Sequence, residues 1–97
     1  MKILKYKIPI QDEFSIRMPF PIMILSFQVQ NKIPMIWVLT SEENGSDQEK
    51  HFCIFGTGKE FDGLGKNYIG TIQLNGFVWH LFEDKFKCKV IPNKGNI

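Results

Sequence analysis

The sequence has few cysteines and no long apolar run. Its two cysteines, Cys53 and Cys88, do not belong to a CxxC pair, so we expect free thiols in a reducing cytosol. No apolar run approaches the length needed to span a membrane. Residues 1–7 alternate in polarity where a secretory signal would have an apolar segment. These absences predict a cytoplasmic protein without a membrane partner.

Charge of one sign is also lacking, because the net charge of the chain is only +2. The positive residues of the last segment all follow the last acidic residue, Asp84: Lys85, Lys87, Lys89 and Lys94. We therefore predict a single domain over residues 1–84 and a basic tail over residues 85–97. A weakly charged domain argues against a nucleic-acid polymer as the partner.

Apolar residues recur with a period of two along most of the chain, which is typical of β-strands, and no segment has the period of an amphipathic helix. The segments with this pattern are 3–10, 14–18, 22–30, 33–40, 51–55, 68–74 and 77–83. Met23, Leu25, Phe27 and Val29 are predicted to share one face of the third strand.

Polar and glycine-containing segments separate these strands. Asn31-Lys32 and Asn75-Gly76 are predicted to be tight hairpin turns, whereas residues 41–50 and 59–66 are predicted to be loops. The pattern predicts an all-β fold, a single small antiparallel β-sandwich or barrel of about seven short strands. A domain of this size has little apolar surface to bury, so we expect a homo-oligomer.

The sequence predicts no catalytic residues. Lys59 is followed by Glu60 where a phosphate-binding loop of ATPases has Ser or Thr, and Phe61 occupies the third glycine position of a dinucleotide-binding motif. The acidic residues cluster in predicted loops, where solvation is expected in place of acid–base work. We expect a protein that is not an enzyme.

The histidines and cysteines are candidate metal ligands. His51 and Cys53 share a strand face, and His80 and Cys88 could join them, but the close paired spacings of structural zinc sites are missing. A Cys–His nucleophile would also need a third group to orient it. The sequence therefore predicts no metal and no cofactor.

The segment Gly56-Thr57-Gly58-Lys59 follows a predicted strand. Glycines let backbone N–H groups approach an anion closely, and the lysine adds positive charge, so the segment is a candidate phosphate site. The alternative is a turn that ends the strand.

Polar and aromatic side chains of the strands are further candidates. Gln28, Gln30, Thr71 and Gln73 carry groups that suit a ribose or a base edge, although the solvent side of a sheet suits them equally. Trp37, Tyr68 and Trp79 can stack on a base or fill the core, and His80 is a candidate polar contact.

Several phrases of the sequence occur together in a fixed order: ILSFQVQN at 24–31, PMIW at 34–37, FGTG at 55–58, YIGTIQ at 68–73 and VWHLF at 78–82. In these phrases the chain resembles a small family of uncharacterised proteins found mainly in bacteriophages and prophages. The chain departs from the family pattern at Phe20-Pro21 and at Lys59.

The resemblance implies a context for the function, because short phage proteins often counter host defences. One such class sequesters nucleotide immune signals, of the cyclic ADP-ribose or cyclic dinucleotide type, within small homo-oligomers. Our first hypothesis is a phage counter-defence protein that acts in the cytoplasm of the infected bacterial host and binds such a signal without altering it. The alternatives are a protein-interaction module that inhibits a host protein or acts in phage assembly, and a hydrolase of the nucleotide.

Overall fold

The computed structural model describes residues 1–41, 45–87 and 89–92. All its regular elements are strands: β1 (Lys2–Lys7), β2 (Glu13–Pro19), β3 (Pro21–Gln30), β4 (Ile33–Thr40), β5 (Ser46–Gly56), β6 (Lys66–Leu74), β7 (Phe77–Asp84) and β8 (Lys89–Pro92). The described residues include no helix that is long and apolar enough to cross a membrane.

The strands form two antiparallel sheets. The three-stranded sheet has the order β1-β4-β3, and the larger sheet has the order β2-β5-β7-β6 with β8 added beside β5. Strand β5 pairs with β2 on one side, and on the other side with β7 and then β8. The arrangement confirms the predicted all-β antiparallel fold. Of the two predicted architectures it is the sandwich, since neither sheet closes into a barrel.

The core lies between the two sheets, because apolar side chains alternate inwards from both. The most deeply buried members come from both layers: Met18, Ile36, Val38, Phe52 and Leu81. Along each strand, the side chains that alternate with the buried ones point away from the core, to the outer face of their sheet. The molecule therefore has two separate outer faces on opposite sides of one core.

Both predicted tight turns are present. Asn31 and Lys32 have φ values of 52° and 65° between β3 and β4, and Asn75 and Gly76 have values of 53° and 82° between β6 and β7. Positive φ at both central positions defines a type I′ turn, whose twist matches that of the flanking strands. Asparagine and glycine tolerate this region well, but lysine does not.

The prediction of which side chains of β3 share a face is wrong for the first half of the strand. The register shifts between Ile24 and Ser26, which leaves Leu25 without a partner on β4. This bulge inverts the alternation, so Ile24 packs against the core with Phe27 and Val29. Met23 and Leu25 are 57% and 44% exposed as a result.

Two segments are strands where the sequence did not predict them. Residues 46–50, within a predicted loop, extend β5, because each of them finds a backbone partner on β2, β8 or both. Strand β8 lies within residues 85–97, which the sequence predicts to be a basic tail. Three parts of the chain lie outside the described residues: residues 42–44, Cys88, and residues 93–97, which include Lys94.

Candidate functional site

The candidate ligand residues divide between the two outer faces. Thr57, Tyr68, Thr71, Gln73 and His80 lie on the outer face of the larger sheet, given the pairing of β5, β6 and β7. Gln28, Gln30 and Trp37 lie on the outer face of the three-stranded sheet, since they alternate with the buried Phe27 and Ile36.

Four residues of the larger sheet form one hydrogen-bonded row, which we call the His80 row: Thr57, His80, Thr71 and Tyr68. The Nε2 atom of His80 lies 2.8 Å from the Thr57 hydroxyl oxygen, and its Nδ1 atom lies 3.0 Å from that of Thr71. The Tyr68 hydroxyl lies 2.5 Å from the Thr71 oxygen. Hydroxyls donate and accept, so the row satisfies either tautomer of His80.

A bulge in β6 makes this row possible. Tyr68 pairs with Phe82 and Gly70 pairs with the next residue, Leu81, so Ile69 is the extra residue. Without the bulge, Tyr68 and Thr71 would point to opposite faces of the sheet. Because of it, they share the outer face with His80.

An aromatic cluster adjoins the His80 row. The rings of Phe55 and Phe61 stack with their centroids 3.9 Å apart and their planes at 7°. Phe82 contacts Phe61 with a centroid distance of 5.2 Å, and Tyr68 meets Phe82 edge-on at 5.5 Å. Tyr68 therefore belongs to both groups, and Phe55 is the β5 partner of His80. The cluster offers an exposed aromatic surface at the edge of a polar row.

The turn at Gly56–Lys59 ends strand β5. The Lys59 N–H donates to the Gly56 carbonyl at 3.2 Å, and Gly58 has a φ of +92°. A type II turn has this hydrogen bond and requires positive φ at its third residue. The glycine at position 58 thus serves the turn itself, while the exposed Lys59 lines a surface cavity together with Phe55 and Phe61.

That cavity has a volume of about 210 Å³ and is rich in charged groups. Its lining carboxylates and lysines are Asp12, Glu13, Asp62, Asp84, Lys59, Lys66 and Lys87. Asp84 is 3% exposed and lies 3.3 Å from the Lys66 ammonium. Burial alone would raise the pKa of Asp84, but hydrogen bonds from Lys66 and the Phe86 N–H outweigh it and lower the pKa.

His51 is the centre of a second hydrogen-bonded group on the same face, where β2 pairs with β5. Its Nδ1 atom lies 3.0 Å from the Ser15 hydroxyl, and its Nε2 atom lies 2.9 Å from a Glu13 carboxylate oxygen. The Lys87 ammonium donates to the same oxygen at 2.8 Å. The order serine, histidine, glutamate is that of a nucleophilic triad, but the two ring nitrogens have exchanged their roles.

The remaining predicted residues are elsewhere. On the three-stranded sheet, Gln28 donates to Ser26 at 2.8 Å and Lys5 donates to Gln30 at 2.7 Å. Trp79 packs against the core, and its ring lies beside Gly56. These residues do not join the His80 row, so the structure brings together only part of the predicted set.

A cleft of about 410 Å³ opens between the sheets at one end of the core. The Lys50 ammonium and the Glu83 carboxylate lie 2.6 Å apart there, with side chains that are 17% and 15% exposed. Both residues occupy positions that face the core, because Lys50 pairs with Ile16 and Glu83 pairs with Phe52. The ion pair closes this end of the apolar core with charge.

Phe55, Phe61 and Phe82 were not predicted as site residues, because exposed and buried phenylalanines give the same alternating pattern. Glu13 and Ser15 were not predicted either, because they approach His51 only through the pairing of β2 with β5. A pairing between strands so distant in sequence leaves no local signal.

Comparison with known protein families gives one match: a domain of unknown function, DUF7352, matches residues 1–89. The chain therefore belongs to this family. Comparison with curated proteins and with solved structures gave no match.

Proposed function

We propose that this protein binds and sequesters a phosphate-bearing nucleotide on the outer face of its larger sheet. The observation that carries the proposal is the junction between the His80 row and the aromatic cluster, because it offers hydrogen-bonding groups directly beside stacking surfaces. Nucleotide sites combine these two kinds of contact. The proposed ligand is an immune signal of the cyclic ADP-ribose or cyclic dinucleotide class, and the proposed setting is phage counter-defence.

Each part of the nucleotide has a proposed partner. The base stacks on the exposed rings of Phe61 and Tyr68, which are 43% and 60% exposed. The hydroxyls of Thr57 and Thr71, with His80 between them, bond the ribose or the base edge. Lys59 is exposed at the end of β5 and neutralises phosphate.

The test uses purified protein with cyclic ADP-ribose and a panel of cyclic dinucleotides. A rise in the thermal midpoint indicates binding, since a ligand of the native state stabilises it. The protein is then heat-denatured and the released nucleotide is assayed. Recovery of intact nucleotide supports sequestration, whereas recovery of an altered nucleotide identifies an enzyme. No shift with any nucleotide overturns the proposal.

Two variants locate the site. His80→Ala is expected to weaken binding at least tenfold, about 1.4 kcal/mol, because the row loses its central partner. Lys59→Ala should weaken binding and reduce its dependence on salt. Gln28→Ala, on the opposite outer face, is the matched control and should bind normally. Equal losses in His80→Ala and Gln28→Ala would place binding elsewhere.

A protein partner is the second candidate function, because part of the other outer face carries neighbouring exposed apolar side chains. Ile3 and Met23, which both pair with Leu39 across β4, are 60% and 57% exposed. Neighbouring exposed apolar side chains are typical of interaction surfaces. If no nucleotide binds, loss of host-protein binding in Ile3→Lys would support this function.

A further inference from the structure

Glu13, His51 and Cys53 bring a carboxylate, an imidazole and a thiol together on the outer face of β2 and β5. Their ligand atoms all lie within 4.8 Å of one another. Strand register explains the grouping, since Glu13 pairs directly with Cys53 and His51 is two residues before Cys53 on the same face. From this geometry we propose that the three residues form a binding site for Zn²⁺ with one open coordination position.

The donor set fits zinc. Zinc is borderline-soft and binds thiolate, imidazole and carboxylate in tetrahedral sites, with metal–ligand distances of about 2.0–2.3 Å. Ligand atoms around such an ion are separated by about 3–4 Å, so small side-chain movements close the site. Glu13 and His51 already have their ligand atoms 2.9 Å apart.

Cys53 gives an independent indication of a ligand. Its side chain is only 3% exposed and lines the charged cavity of about 210 Å³. Within the described part of the chain Cys53 is a free thiol that forms no disulfide. A buried thiol beside a carboxylate and an imidazole is suited to a metal, and the cavity leaves room for a water as the fourth ligand.

Ser15 is a positioning residue in this site. The Nε2 atom of His51, which lies 2.9 Å from the Glu13 carboxylate oxygen, donates to it in the metal-free protein. When a metal ion takes the place of that hydrogen, His51 carries its hydrogen on Nδ1 and donates it to the Ser15 hydroxyl, 3.0 Å away, which leaves the Nε2 lone pair for the metal. Such partners of metal-bound histidines fix the tautomer and the ring orientation. On binding, the Cys53 thiol loses its proton to solvent and the thiolate bonds to Zn²⁺, so one proton is released per ion.

Lys87 is a competitor for the site. Its ammonium lies 2.8 Å from the Glu13 oxygen that also contacts His51, and both side chains are more than half exposed. A metal ion must displace this ammonium from the carboxylate. Removing the lysine charge should therefore tighten zinc binding, which distinguishes a metal site from a purely structural ion-pair cluster.

Co²⁺ serves as a spectroscopic probe, with Zn²⁺ measured by equilibrium dialysis. We expect one ion per chain, a thiolate-to-cobalt charge-transfer band, and loss of that band when Zn²⁺ is added. The band should disappear in Cys53→Ser and persist in Cys88→Ser, which is the matched thiol control. A band that survives in Cys53→Ser, or no stoichiometric binding by the unaltered protein, overturns the proposal.

Further variants keep the test decisive if Cys53→Ser does not fold. His51→Ala should weaken Zn²⁺ binding more than tenfold, and Ser15→Ala about 10–100-fold with the charge-transfer band retained. Lys87→Met should bind Zn²⁺ more tightly than the unaltered protein. Unchanged affinity in both His51→Ala and Lys87→Met would also overturn the site. The readout needs no nucleotide, so its failure is independent of the proposed function.

Discussion

The two outer faces of the sandwich share one strand geometry but carry different chemistry. On the outer face of the three-stranded sheet, Gln28 forms a side-chain hydrogen bond with Ser26, two residues away on the same strand, and Lys5 forms one with Gln30. On the larger sheet, hydrogen bonds centred on His80 and His51 join β2, β5, β6 and β7.

The difference favours the larger sheet as the location of the proposed binding sites. Side chains held by cross-strand partners are pre-organised, and pre-organised polar groups are what a binding site requires. Strands β1, β3 and β4 contain no acidic residue. The larger sheet, in contrast, contains Glu13, Asp84, His51 and His80. We therefore place both proposed sites on the larger sheet.

The largest expected effect concerns Asp84. Asp84→Ala should destabilise the protein by about 1.5–3 kcal/mol, because the buried carboxylate accepts from Lys66 and the Phe86 N–H and such bonds to a charged group are strong. Gln28→Ala on the other face should change stability by less than about 0.5 kcal/mol. Urea unfolding measures both. Equal losses of unfolding free energy in the two variants would contradict the difference between the two outer faces.

The two hairpins provide a smaller comparison, with one in each sheet. Lys32→Gly should stabilise the β3–β4 hairpin by about 1 kcal/mol, because lysine at φ 65° is strained and glycine is not. Gly76→Ala should destabilise the β6–β7 hairpin by a similar amount, about 1 kcal/mol, for the same reason. Thermal unfolding at fixed pH measures the two shifts. Shifts of the same sign would contradict the turn assignment.

The smallest effect is a pH dependence at Glu13. Hydrogen bonds from Lys87 and His51 lower its pKa to about 2. A carboxyl whose pKa is lower in the folded state contributes stability above its unfolded pKa and loses that contribution as the pH falls through the folded value. The carboxyl carbon shift of Glu13 should titrate near pH 2 in NMR. Lys87→Ala should move the midpoint upwards; an unmoved midpoint would contradict the pairing.

The strands and turns were predictable from sequence because their signals are local. Alternation of apolar residues located β1 to β7, and Asn31-Lys32 and Asn75-Gly76 located both type I′ turns. The inward orientation of Ile24 was not predictable, since a bulge leaves the composition of the strand unchanged. Residues 46–50 were polar enough to resemble a loop, and only their backbone partners make them a strand.

The site was predictable only in part, for the same physical reason. Thr57, Tyr68, Thr71 and His80 were identified by residue type, but their grouping depends on strand order and on the β6 bulge. Gln28 and Gln30 looked equivalent to Thr71 and Gln73 in the sequence, yet the chain carries them to the opposite side of the core. The group around His51 depends on a pairing between strands that are more than thirty residues apart.

The position of β5 in the larger sheet has a consequence for synthesis. This strand of eleven residues leaves the ribosome after β2 but before β7 and β8, which together cover its second edge. The part of this edge that contains Phe52 and Ile54 thus stays unpaired until β7 has been made, and the part at Ser46–Glu49 until β8 has been made. Open apolar edges recruit other chains. Yield in the cell should therefore depend on translation continuing without pause from β5 to β8.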